Sequence, residues 1–397
     1  MPSANPSAPS AKARKSAAKQ IPKLSRQLQR LLAEDRQPIT AGPKDPEEAA
    51  ARANLRYVTV PEPGLRRVRR AKKTFQYVNE TSRRIVRDPR VLKRISGLGI
   101  PPAWEDVWIC GDEDGHIQAV GRDARGRKQY RYHERWRQTR DRSKFGRMIH
   151  FAHALPGIRA AVARDLALPG LPREKVLATV VSLLANTGIR VGSDEYAKTN
   201  HHYGLTTLLD KHVHVKGEKL RFRFKGKSGK DHEVGVRNGR LARIVRRCIE
   251  IPGQRLFQYL DDAGVAHNVD SQDVNGYLHS IAGDEFTAKD FRTWIGTVTA
   301  AASLFTCSAP DTAKKTREQI LQAIDAAALR LGNTRSICKA SYVHPEVLLA
   351  FEEGRMPILR KAKVSGTNHL DGVETATLRL LKLAARPKKS SSAARAK

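Results

Sequence analysis

The side chains of this chain that could do chemistry stand at the edges of its sequence elements. Arg190 follows an apolar helical stretch in Asn186-Thr187-Gly188-Ile189-Arg190-Val191-Gly192, where glycines let backbone approach a ligand closely. Lys227 lies in a tight turn between two alternating segments, and Lys230 is its rival within that turn. Arg292 sits in Lys289-Asp290-Phe291-Arg292-Thr293-Trp294, near the start of an apolar helix. Asn333 follows the helix stop at Gly332, and Tyr342 lies in Ser336-Ile337-Cys338-Lys339-Ala340-Ser341-Tyr342-Val343-His344-Pro345. The set comprises two guanidiniums, an ammonium, an amide and a phenol.

Several familiar chemistries do not fit. Gly226-Lys227-Ser228 resembles the end of a phosphate-binding P-loop, but that motif needs Gly where Arg221 stands, and no helix follows. His201, His202, His212 and His214 are close in sequence, yet no acidic or cysteine partner has metal-ligand spacing. Neither GxSxG nor HExxH occurs, which removes the common hydrolase and zincin readings. The expectation is therefore no cofactor and no metal.

The elements that must position these residues fall into two kinds. From Tyr57 to about Trp136 short strand-like stretches dominate: 57–60, 107–110, 116–120 and 128–133, with one helix starting near Asn79. From about Lys144 helical periodicity takes over. Val176, Leu177, Val180, Val181, Leu183 and Leu184 form a buried helix face after Pro172, and a further helix runs from about Asp311 to Leu331. Inside this helical part, 211–216, 219–225 and 231–236 read as a three-stranded antiparallel sheet that projects Lys227 at a turn. The fold class is α+β, a small β-rich N-terminal domain and a larger, mostly helical one joined near residues 136–143. The expected organisation is a disordered basic arm over 1–50, the β-rich domain over 51–140, the helical domain over 141–365 and a basic tail over 366–397.

The order of the local motifs between Tyr57 and Pro357 resembles the type IB DNA topoisomerases, especially the compact bacterial and poxviral kind. Gly-Ile-Arg-Val-Gly followed by Asn200-His201-His202-Tyr203-Gly204 is similar to that family's first catalytic Arg segment. Phe224-Lys225-Gly226-Lys227 is similar to its Lys hairpin, Lys289-Asp290-Phe291-Arg292 to its second Arg, and Lys339 to Pro345 to its nucleophile segment. The resemblance implies that Tyr342 attacks a DNA phosphodiester and leaves a 3′-phosphotyrosyl bond, with Arg190 and Arg292 stabilising the transition state. It implies that Lys227 protonates the leaving 5′-oxygen. Asn333 stands where most of the family carries His; an amide orients and stabilises but does not titrate near neutral pH. Cys338 stands where many relatives have Ser.

The family's matching strand contacts DNA at Gln129, Tyr130 and Tyr132, within Gly126-Arg127-Lys128-Gln129-Tyr130-Arg131-Tyr132. Lys72, Lys73 and the cluster from Arg66 to Arg70 read as phosphate contacts. Simpler roles compete at each position. Tyr342 suits a packed aromatic, Arg190 a cation on a helix end, and Asn333 a helix cap. Arg292 could pair with Asp290 or Asp284, and residues 128–132 could be an ordinary half-exposed strand.

Charge points the same way. Among 397 residues, 73 Lys and Arg face 40 Asp and Glu, a formal net charge of +33. Such an excess implies a polyanionic partner, and double-stranded DNA is the expectation. No apolar run reaches the length of a membrane span, no signal-peptide core is visible, and the four cysteines form no CxxC pair. These features lead to the expectation of a cytoplasmic, nucleoid-associated monomer clamped around duplex DNA. A tyrosine recombinase shares the chemistry, but favours His-x-x-Arg over Lys289-Asp290-Phe291-Arg292 and a helical N-terminal domain. A non-enzymatic nucleoid-coating protein would explain the charge but not the five boundary residues.

Overall fold

A computed structural model describes residues 45–60, 62–71, 74–124, 126–283, 286–307, 310–356 and 370–385. Most of the expected arm, Lys72, Lys73, Asp284 and the last residues of the expected tail lie outside them. Two compact units divide between Arg147 and Met148.

The first unit opens with α1 (Pro46–Arg52), although the sequence reading ran a disordered arm to residue 50. Asp45 caps this helix by accepting from the Glu47 N–H, Pro46 starts it, and Ala49, Ala50 and Ala53 bury against Leu55 and Trp136. A five-stranded antiparallel sheet follows, built from β1 (Leu65–Ala71), β2 (Thr74–Asn79), β3 (Glu105–Ile109), β4 (Ile117–Arg122) and β5 (Lys128–Tyr132), in the order β2-β1-β3-β4-β5. Residues 57–60, expected as a strand, join no sheet. The first strand is instead the arginine-rich β1, whose charge hides its pairing. Arg66 pairs with Glu80, Arg67 donates to the Pro101 and Trp104 carbonyls, and Arg70 donates to Gln76.

The expected helix start at Asn79 is a turn, where the Asn79 side chain accepts from the Thr81 and Ser82 N–H groups. The helix, α2 (Pro89–Gly97), begins ten residues later behind an Asp88 cap and Pro89. Its Ile95 joins Leu65, Trp104, Val107, Ile109 and Ala119 in a core on one sheet face. Val58, Trp108, Cys110 and Val120 make a second cluster. Burial on both faces explains why Val107 to Cys110 read as an unbroken apolar run.

The expected join at 136–143 lies inside one continuous helix, α3 (Glu134–Asp165), and the division between the units also falls within it. Its first turns carry Arg135, Arg137, Arg140 and Arg142, which mask a helix as a polar linker. In the second unit, α4 (Arg173–Thr187) buries the six apolar residues read from the sequence. Then come α5 (Asp194–Asn200), the sheet β6 (Val213–Lys216), β7 (Lys219–Lys225) and β8 (Asp231–Arg237) in the order β6-β7-β8, and α6 (Gly239–Ile249). His212 lies in a short 3-10 turn before β6, so it does not share that strand with His214. A two-stranded ribbon, β9 (Gln258–Leu260) with β10 (Ala266–Asn268), leads to α7 (Ser271–Ala282), α8 (Ala288–Phe305), α9 (Ala313–Leu331), α10 (Arg335–Ser341) and α11 (Pro345–Glu352).

The expected tail over 366–397 contains a helix, α12 (Gly372–Ala384). Asp371 and Glu374 form a capping box, and Leu378, Leu380 and Leu381 are buried. Glu374 also accepts two bonds from Arg159 and one from the Trp294 indole, which ties α12 to α3 and α8. No helix among the described residues is long and apolar enough to cross a membrane.

Candidate active site

Arg190 is set by glycines on either side of it. Helix α4 ends at Gly188 in the left-handed conformation, φ +67°, and the chain then turns into Ile189 and Arg190. The Arg190 carbonyl accepts from the Leu205 N–H at 2.8 Å, and the Val191 carbonyl from the Thr206 N–H at 2.7 Å. Gly204 packs so closely that a Cβ there would lie 2.6 Å from the Arg190 carbonyl oxygen and 2.7 Å from Gly192. The neighbouring Tyr203 N–H donates to the Lys225 carbonyl at 2.8 Å. One loop therefore fixes both the Arg190 backbone and the base of the lysine hairpin.

Lys227 opens a 3-10 turn, Lys227–Gly229, between β7 and β8. The Gly226 N–H bonds to the Lys230 carbonyl at 2.8 Å across the turn. The Lys227 side chain is exposed, as is the rival Lys230. On the other side, α9 stops at Gly332, φ +61°, which delivers Asn333. The Arg190 guanidinium donates to Asn333 Oδ1 at 2.6 Å, across 143 residues of sequence. That bond orients the amide, and its buried Nδ2 has no hydrogen-bond partner among the described residues.

Arg292 joins its own helix to the ends of two others. It lies on α8, only 4% exposed, and donates to the carbonyls of Gly188 at the end of α4 and Leu331 at the end of α9, the latter at 3.0 Å. Its Nε is buried with no partner among the described residues. Asp290, a pairing candidate from the sequence, instead caps α8 by accepting from the Thr287 N–H and hydroxyl. Arg292 is thus a buried cation held by two main-chain carbonyls, with no carboxylate against it among the described residues, and arranged to receive an anion. Burial and the Arg190 charge push it below the ordinary arginine value, yet a guanidinium stays charged.

Tyr342 follows α10 with the Arg292 guanidinium 5.1 Å from its ring centroid. Burial would raise the phenol pKa. The charge and hydrogen bond of Arg292, with Arg190 and Lys289, outweigh it and hold the phenol below its usual value. Two residues of α8 that the sequence reading missed fix this tyrosine. Thr297 donates to the Tyr342 carbonyl and accepts from the His344 N–H, both at 3.0 Å. At Gly296 a Cβ would stand 2.8 Å from the Tyr342 carbonyl oxygen and 3.0 Å from Tyr342 Cβ. Cys338 is buried in this neighbourhood, where burial raises its thiol pKa.

Four of the five sequence candidates, Arg190, Arg292, Asn333 and Tyr342, are linked by these contacts. Lys227 belongs to the same unit through the Gly226 turn. Among the described residues no cluster of His, Cys, Asp or Glu could hold a metal ion. Gln129, Tyr130 and Tyr132 lie on β5 of the other unit. Tyr130 and Tyr132 are exposed on one face and stack at 5.8 Å. Gln129 alternates to the opposite face, where its amide donates to Asp123 at 3.0 Å.

Comparison with known proteins adds a lineage to this geometry. Residues 133–362 match a family model described as the catalytic core of eukaryotic DNA topoisomerase I, and residues 74–123 one described as the N-terminal domain of bacterial DNA topoisomerase IB. A DNA topoisomerase 1B of Acanthamoeba polyphaga mimivirus is 34% identical over 259 residues, covering 64% of this chain and 77% of the relative. A DNA topoisomerase 1B of vaccinia virus (strain Copenhagen) is 23% identical over 233 residues, covering 58% and 70%.

Proposed function

The chain belongs to the type IB DNA topoisomerases, and from that premise we propose how its own residues break and rejoin a DNA strand. The Tyr342 phenol gives up its proton to solvent, the phenolate oxygen attacks a backbone phosphorus, and the bond to the 5′-oxygen breaks. The products are a 3′-phosphotyrosyl ester and a 5′-hydroxyl. Lys227 supplies the proton to the departing oxygen, a role worth roughly a hundred- to ten-thousandfold in rate. Reversal regenerates the phosphodiester. The tyrosyl ester conserves the energy of the broken bond, so no ATP is consumed.

Extra negative charge develops on the phosphoryl oxygens as the tyrosine adds. Arg190 and Arg292 offer fixed guanidinium donors, each worth about a hundred- to a thousandfold by analogy with oxyanion holes. Asn333 offers its Nδ2–H as a neutral donor, held in orientation by Arg190. The observation that carries this reading is the buried Arg292, held by the Gly188 and Leu331 carbonyls and set against Tyr342. With the ester in place the free end turns about the intact strand and supercoils of either sign relax. A single copy serves, held to DNA in the nucleoid, with Gln129, Tyr130 and Tyr132 as contacts.

The test is relaxation of supercoiled plasmid with EDTA and without ATP, comparing wild type and Tyr342→Phe. Relaxation by the wild type alone is expected. Equal relaxation by both would place the nucleophile elsewhere, and none by either, with DNA still bound, would favour a coating protein.

A further inference from the structure

His232 has no part in the chemistry described so far, yet it lies between the lysine turn and the Asn333 loop. It lies on β8 directly opposite Phe224 of β7, and the two rings stack at 5.1 Å with planes 7° apart. A Cβ on Gly226 would lie 2.6 Å from Cδ2 and Nε2 of the imidazole. A Cβ on Gly332 would fall on the other edge, 2.9 Å from Nδ1 and closer still to Cε1. Both glycines are therefore in contact with the ring and neither has room for a methyl group. Gly226 opens the turn that carries Lys227; Gly332 delivers Asn333, which binds Arg190.

We infer that His232 is a positioning residue, a spacer whose ring sets the Lys227 turn at its working distance from the Asn333 and Arg190 side of the site. The inference rests on the proposed role of Lys227 as proton donor. A stacked aromatic ring suits a spacer, because its thickness and edges are fixed where a flexible side chain would yield. The surroundings favour the neutral ring. Burial lowers its pKa, Arg190, Arg292 and Lys230 lower it further, and only Asp231 opposes them. A neutral imidazole adds no fourth cation beside three others. Lys227 is exposed at the tip of its hairpin, so its reach depends on where that turn is anchored.

The experiment is single-turnover cleavage of a DNA duplex by full-length wild type, Lys227→Ala, His232→Ala, Gly226→Ala and the Gly226→Ala/His232→Ala double variant. Each is assayed on two substrates, one with the natural 5′-oxygen at the scissile bond and one with sulfur there. A thiolate leaves without a proton, so a sulfur substrate bypasses the acid. His232→Ala is expected to cleave the oxygen substrate about a hundredfold more slowly, the scale of a misplacement near 1 Å. Like Lys227→Ala, it should recover most of that loss on sulfur. Gly226 has φ −93°, a conformation alanine adopts freely, so Gly226→Ala tests the steric contact without backbone strain and guards against a misfolded His232 variant. It should also be slow on oxygen, and the double variant should be no slower than His232→Ala, because the methyl then meets no ring. The inference is overturned if sulfur rescues Lys227→Ala but not His232→Ala, or if Gly226→Ala cleaves like wild type. If sulfur rescues neither variant, the acid role of Lys227 fails and the inference with it. A wild type that cleaves neither substrate would instead refute the proposed function.

Discussion

At Tyr342 two opposing influences meet. Burial disfavours the phenolate, while Arg292, Arg190 and Lys289 favour it, and the cations prevail. In the proposed mechanism the attacking form is the phenolate, so single-turnover cleavage should rise with pH until it reaches the lowered phenol pKa, then level off. Lys289→Ala removes one of those cations and should move the midpoint up toward the ordinary tyrosine value of about 10. A pH–rate profile with the same midpoint in both proteins would show that charge at residue 289 does not activate the phenol. Much of the candidate site was legible at this scale because a guanidinium, an ammonium or a phenol at an element boundary stands out in sequence. His232 and Thr297 were not. His232 reads as one more member of an alternating strand, and Thr297 as one more small residue on an apolar helix. Their importance comes from contacts with Gly332 and Tyr342, far along the chain.

Among the elements, α8 does the most to organise the site. It carries Arg292 and, one turn on, the adjacent Gly296 and Thr297, and through them meets the ends of α4, α9 and α10. Alanine is favoured over glycine in a helix interior by about 1 kcal/mol, so on propensity alone Gly296→Ala should stabilise the protein. The Tyr342 carbonyl at 2.8 Å from the new Cβ reverses that sign. The variant should melt at a lower temperature and cleave about a hundredfold more slowly, the scale of a misplaced nucleophile. A higher melting temperature with unchanged cleavage would contradict the packing described here. Elements with clean periodicity, such as α4 and the sheet β6-β7-β8, could be read from sequence nearly to their ends. Those with charge on an expected apolar pattern could not. The arginines of β1 and of the first turns of α3 disguised a strand and a helix as basic surface.

For the whole molecule, a net charge of +33 directs the protein to DNA without specifying which side chains meet it. Affinity should fall linearly on a log–log plot of binding against salt, with a slope of about −0.9 for each phosphate neutralised. Tyr130 is exposed and uncharged, so Tyr130→Ala should weaken binding at every salt concentration and leave the slope unaltered. A changed slope would mean that the strand acts through its neighbouring charges. In the proposed function, covalent chemistry at Tyr342 is what separates this chain from a protein that merely coats DNA. It is tested most directly by trapping the adduct on a nicked duplex labelled on either side of the scissile bond, then mapping the modified peptide. The account predicts label transfer only from the strand ending in the 3′-phosphate, and a single modified residue, Tyr342. Transfer from the 5′ side, or a modified residue other than Tyr342, would contradict it.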